Sequence, residues 1–349
     1  MPAFAPEPSP ATDRAACAAM IRTGSRSFHA ASLLLPPAVR APAYGLYAFC
    51  RLSDDAVDET GGNRAAAVAR LRERLRLAYA GRPGNHPADR ALTAIVARHA
   101  IPEALPAALL EGLAWDAEGR RYADLPALSA YAARVAGAVG AMMCLIMGTR
   151  DPKVLARACD LGVAMQLTNI ARDVGEDARA GRLYLPLDWL DAAGLAPDEL
   201  LARPQPSPAL AAVTARLLAA ADILYARAES GIPDLPLACR PAIRAARLIY
   251  AEIGRAIARN GHDSIGPRAR VHGARKAALL ARATLPLRGT DRDAPPLPET
   301  AYLIEAVARH PAPLRSLPPW WNISGQVVRV LDLIEVLEQR DAFRRSAPS

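Results

Sequence analysis

Two short stretches gather acidic side chains at helical spacing. The first is Tyr47-Ala-Phe-Cys-Arg51-Leu-Ser-Asp54-Asp55-Ala-Val-Asp58-Glu59; the second is Gln166-Leu-Thr-Asn169-Ile-Ala-Arg172-Asp173-Val-Gly-Glu176-Asp177. Residues four apart on a helix share one face, so Asp54 with Asp58, and Asp173 with Asp177, would each project two carboxylates one turn apart. Asn169 extends the second stripe with an amide oxygen one turn earlier. Like charges at this spacing destabilise an isolated helix by about 0.2–0.5 kcal/mol. A sequence that does this twice among apolar neighbours points to a compensating cation. Mg²⁺, or Mn²⁺ in its place, suits the oxygen donors, because Mg²⁺ keeps several waters and is held through one or two carboxylates together with substrate phosphates. A single acidic pair is more often a solvated helix face, and spacing alone leaves both readings open.

Cations and hydroxyls lie nearby in the chain. Arg51 precedes Asp54 and Asp55 by one turn, and Arg172 directly precedes Asp173. Guanidinium groups take phosphate oxygens in pairs, yet both positions serve equally well as intrahelical ion pairs. Gly24-Ser25-Arg26-Ser27-Phe28 places two hydroxyls, a cation and backbone N–H groups just past a helix. It is either an oxyanion cradle or an ordinary turn. The six histidines show no metal-ligand spacing.

Helices must position these groups. The composition is 52% apolar with only 5% aromatic residues, and helix formers such as Ala, Leu, Arg and Glu dominate over β-branched runs. The pattern predicts helices over 11–23, 41–60, 63–80, 88–100, 103–120, 126–148, 152–179, 207–230, 240–260, 269–285, 299–309 and 324–343, with no strand. Pro42 and Pro241 fall in first turns, and Gly61-Gly62, Gly81 and Gly148 at helix ends. Val327, Leu331, Ile334 and Leu337 give the last helix an amphipathic face. Residues 1–10 hold four prolines and are expected to be disordered. A catalytic all-helical domain over 11–285, a linker at 286–299 and a C-terminal helical extension over 300–349 complete the division. The uncharged stretch Val135–Thr149 falls short of the ~20 residues of a membrane span and reads as a buried core helix, either lining a channel or packing tightly. No period of 20–50 residues recurs.

Several function classes are disfavoured. The net charge is +8, but arginines are scattered, without the one-sided basic face and interleaved aromatics of a nucleic-acid binder. Cys17, Cys50, Cys144, Cys159 and Cys239 are widely spaced and lack a C-x-x-C pair, so neither disulfides nor zinc are expected, and a reducing cytoplasm is. The start, MPAFAPEPSPATDR, lacks the apolar core of a signal peptide.

The segments YAFCRLSDDAVDE and QLTNIARDVGED, the latter followed by RLYLP, resemble the paired signatures of head-to-head trans-isoprenyl-diphosphate synthases of the squalene/phytoene type. The resemblance runs over about residues 15–285 and less firmly into the C-terminal extension, with its Pro319-Trp320-Trp321. It implies an all-α, single-domain isoprenoid-synthase helical fold with a central cavity. It implies metal ligation by Asp54, Asp58, Asn169, Asp173 and Asp177, and diphosphate or substrate contacts by Ser25, Arg26, Ser27, Tyr47, Arg51, Gln166, Arg172 and Tyr250. Some relatives carry His where this chain has Gly24. The activity implied is Mg²⁺-dependent condensation of two geranylgeranyl diphosphates, through a cyclopropyl diphosphate, to the C40 hydrocarbon phytoene in carotenoid biosynthesis. Farnesyl diphosphate condensation to dehydrosqualene or squalene is the alternative; the lack of a glycine-rich dinucleotide fingerprint argues against the NADPH-dependent product. A non-catalytic assembly factor is a further alternative, though it would not need five metal-type ligands. Phe28, Tyr47, Tyr184 and Tyr250 are either cation-stabilising rings or plain core. A water-insoluble product implies peripheral contact with the inner face of a membrane, through the basic surface and Pro319-Trp320-Trp321. The oligomeric state is left open.

Overall fold

Helices start where a short polar side chain can accept one of the free N–H groups of a first turn. The computed structural model describes residues 10–58, 63–285 and 294–310. Ser25, Asn63, Asp124, Asp151 and Ser207 each accept a backbone N–H two or three residues on, opening five of the helices. Among the described residues there is no strand. The helices are α1 Ala11–Gly24, α2 Arg26–Ser32, α3 Pro37–Asp58, α4 Arg64–Tyr79, α5 Pro87–His99, α6 Ala104–Ala117 and α7 Leu125–Ala132. They continue with α8 Ala138–Met147, α9 Pro152–Arg179, α10 Leu187–Ala192, α11 Pro197–Ala202, α12 Pro208–Gly231, α13 Arg240–Arg259, α14 Gly273–Ala283 and α15 Ala301–Arg309.

Four differences from the sequence reading have local causes. The stretch after α1 is not a turn but α2, seven residues long, with Ser25 as its N-cap. α3 begins at Pro37, not near 41, so Pro42 lies inside the helix rather than in its first turn. α7 and α8 form one rod, Leu125–Met147, joined by the π-helical turn Ala133–Gly137. This rod and Pro208–Asp234 are long and apolar enough to cross a bilayer by length and composition, contrary to the reading from uncharged stretches alone. The first is 61% buried within the protein, where it walls a cavity.

α9 is central. It packs along α12, the α7–α8 rod and α13, while α3 packs on α1 and α5. A Cβ on Gly140 would overlap the Ala158 carbonyl oxygen, and one on Gly162 the Ala136 carbonyl oxygen. Glycine is therefore required for the rod to lie directly on α9. Leu303 and Val307 of α15 are buried in the same core. The chain divides into a unit over Met1–Pro311 and another over Ala312–Ser349. The latter, with the helix expected at 324–343 and Pro319-Trp320-Trp321, lies outside the described residues, as do Glu59 and residues 286–293. All five cysteines are free thiols.

Candidate active site

A cavity of about 320 Å³ runs between α2, α3, the α7–α8 rod, α9, α12 and α13. Its α9 wall is a single stripe at helical spacing, from Val154 through Arg157, Leu161 and Gln166 to Asn169. Fifteen steps of 1.5 Å from Val154 to Asn169 make this wall about 22 Å long. Leu46, Val139, Met143 and Leu161 are typical of the lining, which is almost wholly apolar. The Val135–Thr149 segment is both things the sequence left open: Val139, Gly140 and Met143 line the cavity, while Gly140 gives the close helix contact.

The acidic stripes meet at the Asn169 end. Arg182, two residues beyond the cap of α9, donates from Nη1 to Asp58 Oδ1 on α3 at 2.7 Å, and its Nε lies 3.9 Å from Asp177 Oδ1 on α9. One guanidinium thus spans both helices. Arg51 pairs with Asp55 at 2.6 Å and Asp54 at 3.5 Å; Arg172 pairs with Asp173 at 2.5 Å. The intrahelical ion pairs are therefore present. Desolvation and the neighbouring charge of Asp58 raise Asp54 above the usual carboxylate range. Burial, joined by the charges of Asp173, Glu176 and Asp116, pushes Asp177 up to about 7 against the pull of Arg182. The buried Asn169 Oδ1 has no hydrogen-bond partner.

The remaining expected residues gather beside this acidic end. Ser25 hydrogen-bonds Tyr250, which also feels the charges of Arg172 and Asp173. The Phe28 ring lies 4.8 Å from that of Tyr250 and 6.4 Å, edge-on, from that of Tyr47. A Cβ at Gly24 would overlap the Tyr47 hydroxyl, so glycine there makes room for that side chain. Arg26 and Ser27 occupy the first turn of α2, with Arg26 exposed. Gln166 lines the cavity next to Asn169.

Three residues escape the sequence reading as site members: Asp116, Tyr131 and Arg268. Asp116 on α6 accepts hydrogen bonds from Tyr184 at 2.7 Å and Tyr131 at 2.8 Å. Burial pushes Asp116 up to about 6 even though both hydroxyls favour its charged form. Tyr131 and Tyr184 stack with centroids 5.3 Å apart, so Tyr184 is part of a hydrogen-bonded group around Asp116 and not a lone ring. Arg268 lies 2.9 Å from Asp173 and 3.5 Å from Glu176. Its loop is pinned to α9 by the Gly175 N–H donating to the Ser264 carbonyl oxygen at 2.9 Å. A Cβ on Gly175 would meet Ile265 Cα at 2.8 Å. No short-range spacing marks any of these residues, because each comes from a separate segment.

The squalene/phytoene synthase family model matches residues 21–276. The chain is 57% identical over 313 residues to a phytoene synthase of Cereibacter sphaeroides, covering 85% of this chain and 88% of the relative. It is 54% identical to a phytoene synthase of Rhodobacter capsulatus, covering 85% and 90%. Among solved structures it resembles a dehydrosqualene synthase in complex with ligand, with a TM-score of 0.72, 31% identity and coverage of 78% of this chain and 95% of the other. A squalene synthase from Alicyclobacillus acidocaldarius matches with a TM-score of 0.66 and 28% identity, covering 72% and 95%. The isoprenoid-synthase-like helical fold, the signature segments in α3 and α9 and these likenesses agree: the chain belongs to the squalene/phytoene synthase family.

Proposed function

We propose that the protein condenses two geranylgeranyl diphosphates head to head, through a cyclopropyl diphosphate, to phytoene, releasing two diphosphates in the first committed step of carotenoid biosynthesis. The observation that carries this is a long apolar cavity whose one polar end is flanked by two facing acidic helices. Relatives named phytoene synthase at 57% and 54% identity support the C20 substrate over the C15 substrate of the dehydrosqualene reading.

The donor set fits Mg²⁺ or Mn²⁺ in the way those ions bind phosphates. Among the described residues no three His, Cys, Asp or Glu side chains converge tightly enough to cage an ion alone. Magnesium held by one or two carboxylates, with waters and diphosphate oxygens completing its shell, needs no such cage. Asp54 and Asp58 from α3, with Asp173, Asp177 and the unpartnered Asn169 Oδ1 from α9, would hold it. When bound it neutralises the charge that develops on the departing diphosphate.

The chain's own groups do the rest. Arg51, Arg172, Arg182 and Arg268 balance the carboxylates. With the carboxylates holding a metal, these guanidinium groups would be free to take diphosphate oxygens, aided by Arg26 and the hydroxyls of Ser25 and Ser27. Gln166 and Tyr47 stand where the polar head meets the apolar chain. The faces of Phe28, Tyr47 and Tyr250 stabilise the allylic cation, and the apolar walls keep out the water that would quench it. The hydrocarbon leaves into a bilayer that the basic protein touches peripherally at its cytoplasmic face. Incubation with labelled C15 and C20 diphosphates, with and without Mg²⁺ and NADPH, tests the reading. A C40 hydrocarbon requiring Mg²⁺ and indifferent to NADPH is expected; a C30 product or NADPH dependence would overturn it.

A further inference from the structure

Arg157 is the one charged side chain among the described residues that line the cavity. It sits twelve residues before Asn169 on the same α9 stripe, about 18 Å from the acidic end at 1.5 Å per residue. Its head turns away from the cavity. Nε lies 3.0 Å from Asp160 Oδ2, and Nη2 donates to the Pro295 carbonyl oxygen at 3.2 Å. Asp160 is fully buried and also accepts from Arg227 Nε at 3.0 Å, while Arg227 Nη2 reaches the same Pro295 oxygen at 2.6 Å. The Arg157 stem lies against Gly231 at the end of α12, where a Cβ would come within 2.5 Å of Arg157 Cβ and 2.7 Å of its Cγ. The cavity therefore meets a methylene stem fixed at both ends, by a buried ion pair at its head and by helix backbone beneath it.

We propose that Arg157 is a specificity-determining residue for chain length, its clamped stem being the wall at which the tail of the prenyl chain stops. An ordinary Leu or Met there could change rotamer and admit a longer tail. Arg157 cannot, because moving it would leave the buried Asp160 short of a partner, and breaking a buried pair is strongly unfavourable. Gly231 sets the position of the stop by leaving space for the stem. The inference rests on the reading of this cavity as the prenyl pocket.

The test compares kcat/KM for C15, C20 and C25 all-trans prenyl diphosphates in the wild type, Arg157→Ala, Arg157→Lys and Gly231→Ala. The wild type should favour C20 and reject C25. Arg157→Ala, in which Arg227 still partners Asp160, should gain C25 turnover by about tenfold or more, the discrimination that a few methylenes confer in an apolar pocket. Gly231→Ala, which drives the stem into the cavity, should lose about tenfold on C20 with C15 little changed. Arg157→Lys keeps the stem and the charge and should keep the wild-type profile. If Arg157→Ala does not fold, Gly231→Ala decides alone. An unchanged length profile, or a loss equal at all three lengths, in the folded variants overturns the proposal. A wild type inactive on every length would instead overturn the functional reading itself.

Discussion

Arg182 reaches across the cleft to Asp58, 2.7 Å away although 124 residues separate them in the chain, and ties α3 to the end of α9. Both partners are partly exposed, at 26% and 44%, so the pair contributes only about 1 kcal/mol to stability. Arg182→Met in EDTA-treated protein at pH 8 should lower Tm by about 2 °C. Mg²⁺ with inorganic diphosphate should restore most of the difference, since the metal replaces the guanidinium between the helices. Thermal melts with and without both ligands check this, and an unchanged Tm in EDTA speaks against the clamp.

Asp54→Ala and Asp173→Ala should both abolish turnover, but their stabilities should diverge. Asp54 is held above the usual carboxylate range by desolvation and by Asp58. Its removal relieves repulsion and should raise Tm slightly. Asp173 partners both Arg172 and Arg268, so its removal leaves Arg172 without this carboxylate and Arg268 with only Glu176, 3.5 Å away, and should lower Tm. Melting curves of the two metal-free variants, beside Mg²⁺-dependent activity, separate these expectations.

Glu252 and Asp177 should give stability profiles of opposite sign with pH. Burial opposes the charge on Glu252, yet hydrogen bonds from Arg275, Arg259 and Arg255 bring its carboxyl down to about 2. A depressed pKa means that the stabilisation is present above the ordinary value of 4.5 and is lost as pH falls towards 2. Glu252→Gln should therefore cost about 2 kcal/mol at pH 7, with the deficit vanishing near pH 2. Asp177 is pushed up to about 7, so its penalty builds as pH rises above the ordinary 3.8 and is complete beyond 7. Asp177→Asn in EDTA should thus gain on the wild type as pH rises from 4 to 8. Denaturant melts from pH 2 to pH 8 check both signs.

Binding to anionic vesicles should be salt-sensitive. A net charge of +8 gives an attraction of roughly 1 kcal/mol for each Lys or Arg held near the surface. Flotation should find the protein with anionic liposomes at low salt and largely released at high salt. Failure to float at low salt would require another exit for the hydrocarbon.

Both acidic stripes were legible in the sequence because a helix turns spacing into a shared face, and their partnership was legible through the family likeness of the two segments. The contact that joins them across the cleft was not, since no local pattern records that Arg182 lands beside Asp58. Asp116 and Tyr131 stayed hidden for the same reason: a lone Asp and a lone Tyr join Tyr184 in a hydrogen-bonded group only when α6, α7 and the segment after α9 pack together. α2 was missed because seven residues carry too little periodicity to register, and Ser25 closes one helix while opening the next. The π turn at Ala133–Gly137 leaves no trace in an apolar run whose every residue also suits a regular helix.

The most direct test of a shared metal cluster is Mn²⁺ binding with inorganic diphosphate, followed by electron paramagnetic resonance in the wild type, Asp58→Asn and Asp177→Asn. These carboxylates lie on different helices, joined by the same arginine. A single cluster built from both helices predicts that either substitution weakens diphosphate-dependent Mn²⁺ binding by about tenfold or more, at least as much as loss of an outer-shell partner costs. Undiminished binding in either variant, with the fold intact, would contradict it.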